Sequence, residues 1–553
     1  MSTEIIKGFP STSGNDYQLN IITFLKSAAT TYPEVEVVSR NIDGSIFRYN
    51  YYEAYQRTKK LANALIKLGI KPGDRVGIAD WNTHRFSELY YAISGIGAVA
   101  LELNPRIAGV DRAYVINHAE AKLIFVADTL LPIIEPIAGD LNTVQGYVVI
   151  TDKKIEDVKT GLSPVNSYED ILAPESAEYT FPMIDETSAF AACYTSGTTG
   201  KPKGVFVSHR AMYLHTLMIA NMTKMGLDDV IMQTVPMFHA QGWGVFLCAP
   251  LVGAKLVFSG MYTAEATNTL VDLMISEKVT VNNGAPAIYM PMLEQIRSMP
   301  EKPDFANLRM LSGATEPPLA MMKGYDELGG NVIHAYGATE TTPLVTINLL
   351  KSQLSDLSEN EKWELRKKQG LPVTGIEMKI VNADGEDAPH DGETVGELLI
   401  KGPWITSSYY NDPRTAESFT DGYWRSGDAA TIDKNGYVKI SDRFKDLIKS
   451  GGEWISSIDL ENSLMAHEGV LEASVAGLPH PKWEERPLAL VILRENFKGK
   501  TTKQELLDFI SPNFAKWQLP DQIVFVDEIP KTSVGKFSKK TIREQYKDFY
   551  KDK

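Results

Sequence analysis

The stretch SAFAACYTSGTTGKPKG (residues 188–204) constrains the chain more than any other, because an apolar run of strand character leads directly into a glycine-rich loop. Its glycines weaken both a helix and a core strand, and Pro202 lacks a backbone donor, so the segment after Tyr194 reads as a loop. A strand that delivers a Gly/Ser/Thr loop turns backbone N–H groups toward an anion, phosphate above all. Gly197, Gly200 and Gly204 permit close approach, Ser196, Thr198 and Thr199 add hydroxyl donors, and Lys203 supplies a point charge suited to polyphosphate. This is not a Walker A loop. That pattern needs Gly at 195 and Ser or Thr at 202, where this chain has Thr195 and Pro202.

The surroundings suit such a loop. RVGIADW (75–81), KLIFVAD (122–128) and QGYVVIT (145–151) read as buried parallel strands, and 51–69 as a helix ending at Gly69. Strands interleaved with helices imply layered α/β sheets. At 553 residues the chain exceeds one hydrophobic core. Near 370–400 GIEMKIV and ELLIKG flank a Gly/Asp-rich turn, predicting a hairpin in a small β-barrel-like region, and 352–370 reads as an exposed helix. SDRFKDLIKSGGEWIS (441–456) reads as a hinge, followed by a compact α+β unit. The expected organisation is a large domain at 1–441, a hinge at 442–449 and a mobile small domain at 450–553.

A formal net charge of −14 argues against nucleic acid as the main partner. Residues 442–553 carry 18 basic and 18 acidic side chains, so the acidity lies wholly in the preceding body, and the neutral tail can approach an anionic ligand more easily. No secretory signal is visible, and the longest apolar stretch, near 92–103, falls short of the roughly 18 residues of a membrane helix. Cys193 and Cys248 stand in no metal-type spacing and exclude a disulfide framework. A cytoplasmic protein is expected.

TSGTTGKPKG resembles the phosphate loop of the AMP-forming adenylating enzymes, the superfamily of acyl-CoA synthetases, firefly luciferases and peptide-synthetase adenylation domains. MFHAQGWG (237–244), SGATEPP (312–318), HAYGATETTP (334–343), YWRSGDAA (423–430), SDRFKDLIKSGGEWIS (441–456) and PKTSVGKFSKK (530–540) follow in that superfamily's order and rough spacing. SGGEWIS (450–456) is most similar to medium- and long-chain fatty acyl-CoA synthetases.

The resemblance implies a two-step reaction. A carboxylate attacks the α-phosphate of ATP to give acyl-AMP and pyrophosphate, and the thiol of coenzyme A then displaces AMP. It implies that Thr195 and Glu340 hold Mg²⁺, a hard cation that takes oxygen ligands. Tyr336 is expected to stack on adenine, with Gly313, Ala314 and Ala335 lining the pocket, Gly337 and Thr339 beside the nucleotide, and Asp428 on the ribose. Arg443 would contact ribose and phosphate, Lys445 would be the pivot, and Lys536 the catalytic lysine of adenylation. Turning the small domain would exchange Lys536 for Lys449 with Gly451, Gly452 and Trp454, which form the thiol channel. His239 would orient the carboxylate, and Trp243 would gate a tunnel lined by Gly284, Ala285 and Ala338. His239 stands where relatives that activate amino acids place an Asp for the substrate ammonium.

A homodimer is expected from the resemblance. Similar text in short-chain, hydroxy-acid and aryl-acid CoA ligases keeps that substrate class as an alternative. An inactive nucleotide-binding scaffold is disfavoured by Lys536, Glu340 and Asp428 together, and an ADP-releasing ATPase or kinase by the departure from Walker A.

Overall fold

Strands buried on both faces need helices over both faces, and the chain meets that need with two mainly parallel sheets. The computed structural model describes residues 5–14, 16–195, 201–263, 266–382, 384–443, 446–451, 453–531 and 537–551. The chain divides into two compact units, Met1–Glu377 with Lys401–Trp424, and Met378–Ile400 with Arg425–Lys553.

In the first unit a seven-stranded sheet runs Val165–Ser167, Gly146–Ile150, Ala121–Ala127, Arg75–Ala79, Val99–Glu102, Ala189–Thr195, Lys203–Ser208. Its neighbours are parallel except the last two strands, which form an antiparallel hairpin. The three strands expected from apolar runs are all there. Ile124, Val126, Ile116, Val149 and Leu101 build the core on one of its faces.

The second sheet has nine strands, in the order Leu371–Pro372, Leu344–Ile347, Asn331–Gly337, Arg309–Ser312, Val281–Gly284, Val230–Gln233, Lys255–Phe258, Glu36–Arg40, Ile46–Asn50. Six central strands are parallel, so their carboxyl ends share one edge. Met232, Val257, Leu270, Tyr289, Met310 and Tyr325 pack behind them. The helix Tyr51–Lys67 begins with a reciprocal capping box between Asn50 and Glu53 and stops before Gly69, whose φ of +85° no side chain adopts cheaply.

In the second unit Val438–Arg443 pairs antiparallel with residues 428–432. A further sheet runs Glu453–Ile455, Ile448–Ser450, Glu484–Leu493, Val470–His480, with Gln522–Phe525 parallel to Glu484–Leu493. Ile448, Leu460, Val475, Val491, Leu506 and Ile523 bind it to helices Ser457–Met465 and Lys503–Ile510. Among the described residues no helix is long and apolar enough to cross a membrane.

Candidate active site

The shared carboxyl edge of the nine-stranded sheet collects most of the expected site. Parallel register sets Gly284 beside Ser312 and Ser312 beside His334, so Ala285, Gly313 and Ala314 just past two strands and Ala335, Tyr336 and Gly337 at the end of a third come to one edge. Open α/β sheets bind ligands at such ends. Ala314 sits at φ +73°, and a Cβ on Gly337 would lie 1.9 Å from the Pro343 carbonyl oxygen, so only glycine fits there. Ala338 leads into the single turn Thr339–Thr341, which carries Glu340. The Ser312 hydroxyl is buried with no hydrogen-bond partner among the described residues.

The phosphate-loop hairpin packs against that turn. Thr195 and Lys203 are directly paired across it, which puts their side chains on one face. Thr195 Oγ1 is buried and has no partner among the described residues. Lys203 Nζ lies 3.9 Å from the centroid of the Tyr409 ring, whose hydroxyl donates to Glu340 Oε1 at 2.7 Å. The indole N–H of Trp424 donates to that same hydroxyl at 3.2 Å. Burial pushes the Lys203 ammonium below its usual pKa, and the Glu340 charge opposes the shift.

Backbone bonds tie this segment to the loop. The Tyr410 N–H donates to the Gly204 carbonyl at 2.9 Å, Thr406 N–H to the Glu340 carbonyl at 2.8 Å, and Arg414 Nη2 to the Lys201 carbonyl at 2.9 Å. A buried hydroxyl with no partner among the described residues, on a hairpin packed against the turn that carries a buried carboxylate, offers oxygen donors that suit a hard cation, so Thr195 and Glu340 fit the expected Mg²⁺ ligands.

Two asparagines hold the loop that leads to His239. Asn82, from the other sheet, accepts the Met237 N–H at 2.8 Å and donates Nδ2 to the Thr234 carbonyl at 3.0 Å and Ser259 Oγ at 3.1 Å. Asn283 Oδ1 accepts the Thr234 and Val235 N–H groups at 3.0 and 3.3 Å. His239, half-buried, follows at once, and the turn Ala240–Gly242 leads to Trp243. The Trp243 ring packs on Phe190, and its N–H donates to Tyr90 Oη at 2.6 Å and to Glu102 Oε1.

The second unit carries the remaining expected residues that are described. Asp428 and Arg443 are directly opposite on paired strands, with Arg443 Nε 3.0 Å from Asp428 Oδ1. Lys449 pairs in register with Trp454, and its Nζ is 3.3 Å from Glu484 Oε2. Gly451 donates its N–H to the Trp483 carbonyl at 2.9 Å, at φ +62°. Ser196, Gly197, Thr198, Thr199, Gly200, Lys445, Gly452 and Lys536 lie outside the described residues, as does the Trp454 side chain. Tyr409, Asn82, Asn283 and Glu102 were missed by sequence reasoning. Only Glu102 left a signal, an acidic residue ending the apolar run AISGIGAVALE.

Known proteins resemble this chain over nearly its whole length. The AMP-binding enzyme family matches residues 25–410, and the AMP-binding enzyme C-terminal domain matches 459–536. A long-chain-fatty-acid–CoA ligase of Thermus thermophilus is 43% identical over 555 aligned positions, covering 100% of this chain and 99% of its own. A medium-chain-fatty-acid–CoA ligase of Ectopseudomonas oleovorans is 39% identical and covers 96% of each chain. The crystal structure of the anthranilate CoA ligase AuaEII in complex with anthranoyl-AMP superimposes with a TM-score of 0.83 at 24% identity, over 96% of this chain and 97% of that one.

Proposed function

The chain belongs to the AMP-binding enzyme family, and from that premise we propose that it is an acyl-CoA ligase acting on a medium- to long-chain fatty acid. The acid's carboxylate oxygen attacks the α-phosphorus of ATP, the bond to the β-phosphate breaks, and pyrophosphate leaves. The thiolate of coenzyme A then attacks the acyl carbon and AMP leaves, giving the thioester.

One observation carries the reading. The Thr195 hydroxyl, buried and without a partner among the described residues, and the directly paired Lys203 stand at the root of the Gly/Thr loop, on a hairpin packed against the turn that bears Glu340. Developing phosphoryl charge needs fixed donors and cations in a dry site, and these residues supply them without reorganising. Lys203 faces the polyphosphate, and the backbone donors and hydroxyls of the loop bind its oxygens. Thr195 and Glu340 would hold Mg²⁺, which when bound neutralises phosphate charge. Tyr336, Gly313, Ala314 and Ala335 take the adenine, Asp428 and Arg443 the ribose and phosphate, and His239 orients the carboxylate.

Our reading of the small domain is that it alternates about the 442–449 hinge, presenting Lys536 for adenylation and the Lys449–Gly451–Gly452–Trp454 hairpin for thioester formation. The test is acid-dependent ATP–pyrophosphate exchange without coenzyme A, across acetate, hydroxybutyrate, octanoate, palmitate and benzoate, then product analysis with coenzyme A. Exchange with octanoate or palmitate and release of AMP are expected. Preference for hydroxybutyrate or benzoate would overturn the acid assignment, and release of ADP would overturn the reaction.

A further inference from the structure

Glu102 has no part in either chemical step, yet it is a carboxylic acid only 2% exposed at the end of a strand buried throughout. Burying such a group is costly unless it is hydrogen-bonded. Among the described residues it has no ion-pair partner. The Tyr90 hydroxyl and the Trp243 indole N–H both donate to Oε1, the Cys193 thiol faces the same carboxyl, and Oε2 is buried with no hydrogen-bond partner among the described residues. Burial, the largest cause, pushes the carboxyl well above the ordinary carboxylate range, against the smaller effects of the Cys193 and Trp243 contacts.

What this acid holds is one side chain. Trp243 is 1% exposed, and an indole N–H in such a place needs an acceptor; among the described residues Glu102 and Tyr90 are the two it has. Phe190 packs against the ring at a centroid distance of 6.0 Å, tilted by 58°, while the two hydrogen bonds hold the N–H edge of the indole. Trp243 lies four residues after His239, on the segment expected to border the acyl pocket.

We propose that Glu102 is the positioning residue for Trp243, a polar latch that keeps the indole seated and so determines which acyl lengths the enzyme accepts. The specificity part rests on the reading of Trp243 as a gate. Moving the ring aside breaks its bonds to Glu102 and Tyr90, and an acid long enough to need that space meets this cost. A short acid does not.

The test uses the full-length enzyme with 5-fluorotryptophan, the Trp243 resonance among the eight tryptophans being assigned with Trp243→Phe. Glu102→Gln keeps the acceptor and the shape of a neutral acid, and should leave the resonance and the acid profile as in wild type. Glu102→Leu keeps the volume without the acceptor. It should shift or broaden the Trp243 resonance and lower KM for palmitate about three- to tenfold, as expected for one lost hydrogen bond in the closed state, with KM for butyrate and kcat unchanged. Tyr90→Phe should move the same readouts in the same direction and serves if Glu102→Leu does not fold. An unmoved Trp243 resonance in these variants overturns the latch. A shifted resonance with an unchanged acid profile, in Glu102→Leu and in Trp243→Ala alike, keeps the latch and overturns the gate.

Discussion

The Tyr409 hydroxyl donates to Glu340 Oε1 across 2.7 Å, while the face of the same ring lies 3.9 Å from the Lys203 ammonium. One side chain thus touches both a cation expected on the polyphosphate and a carboxylate expected on the metal. The Lys203 ammonium is attracted to the ring face, and the hydroxyl fixes one oxygen of Glu340 so that the other can be directed elsewhere. Tyr409→Phe keeps the ring and deletes the bond. Loss of a hydrogen bond to a charged group is worth about 1.5–3 kcal/mol, so kcat/KM for ATP in pyrophosphate exchange should fall at least about tenfold. Titration of Mg²⁺ should show a weaker requirement-saturating affinity in the variant. Unchanged exchange at limiting Mg²⁺ would show that Tyr409 does not orient Glu340.

Asp80 is a fully buried acid just after the strand Arg75–Ala79. The Thr83 hydroxyl donates to Oδ2 at 2.6 Å, and Oδ1 is buried with no partner among the described residues. Burial pushes its pKa from 3.8 up to about 7, against the smaller opposing effects of the Thr83 bond and nearby Arg85. Between those two values the folded chain keeps a proton that the unfolded chain has released. This residue's contribution to stability therefore falls as pH rises, by at most about 1.4 kcal/mol per pH unit, and levels off above the folded value. Asp80→Asn removes the titration. Its denaturation midpoint relative to wild type should rise steadily between about pH 4 and pH 7 and level off above that. A difference that stays flat with pH would refute the assignment.

Much of the site was legible because its residues sit in contiguous text. Thr195, Lys203, Gly313, Ala335 and Glu340 each belong to a short motif whose glycines and hydroxyls have a local physical reason, and the parallel strands that carry them have local apolar patterns. The residues that hold the motifs in place have no such text. Tyr409 meets Glu340 from 69 positions away, Asn82 meets Met237 from 155, and Glu102 meets Trp243 from 141. An asparagine after a strand or a glutamate ending an apolar run is ordinary until the partner is known. Trp243 shows the same limit from the other side: the motif supplied a role for the ring but not the acid that holds it.

Asn82 offers a test of how the two sheets are joined at the site. Its amide bonds to the Thr234 and Val235 carbonyls, Ser259 Oγ and the Met237 N–H, all on segments from the other sheet. Asn82→Ala leaves several of these buried groups unsatisfied, so stability should fall by about 2–4 kcal/mol in denaturant unfolding. Because the loop ends at His239, the surviving folded enzyme should show a raised KM for the acid with KM for ATP little changed. Equal increases in both would mean that the loop does not position His239 selectively.

The division of labour between Lys536 and Lys449 is the sharpest consequence of the two-step reading. In adenylation two anions meet, and an ammonium at the carboxylate and α-phosphate offsets charge that is largest in the transition state. In thioester formation AMP departs from a neutral acyl carbon, and that cation is no longer required there. Lys536→Ala should therefore lower acid-dependent pyrophosphate exchange by about a hundredfold or more, while leaving acyl-CoA formation from supplied acyl-AMP near wild type. Lys449→Ala should invert the pattern, sparing exchange and slowing thiolysis. Each half-reaction is measured separately, the first by labelled pyrophosphate and the second by thioester yield. If Lys536→Ala slowed only the thiol step, the two lysines would have to exchange roles, and the proposed order in which the small domain presents them would be reversed.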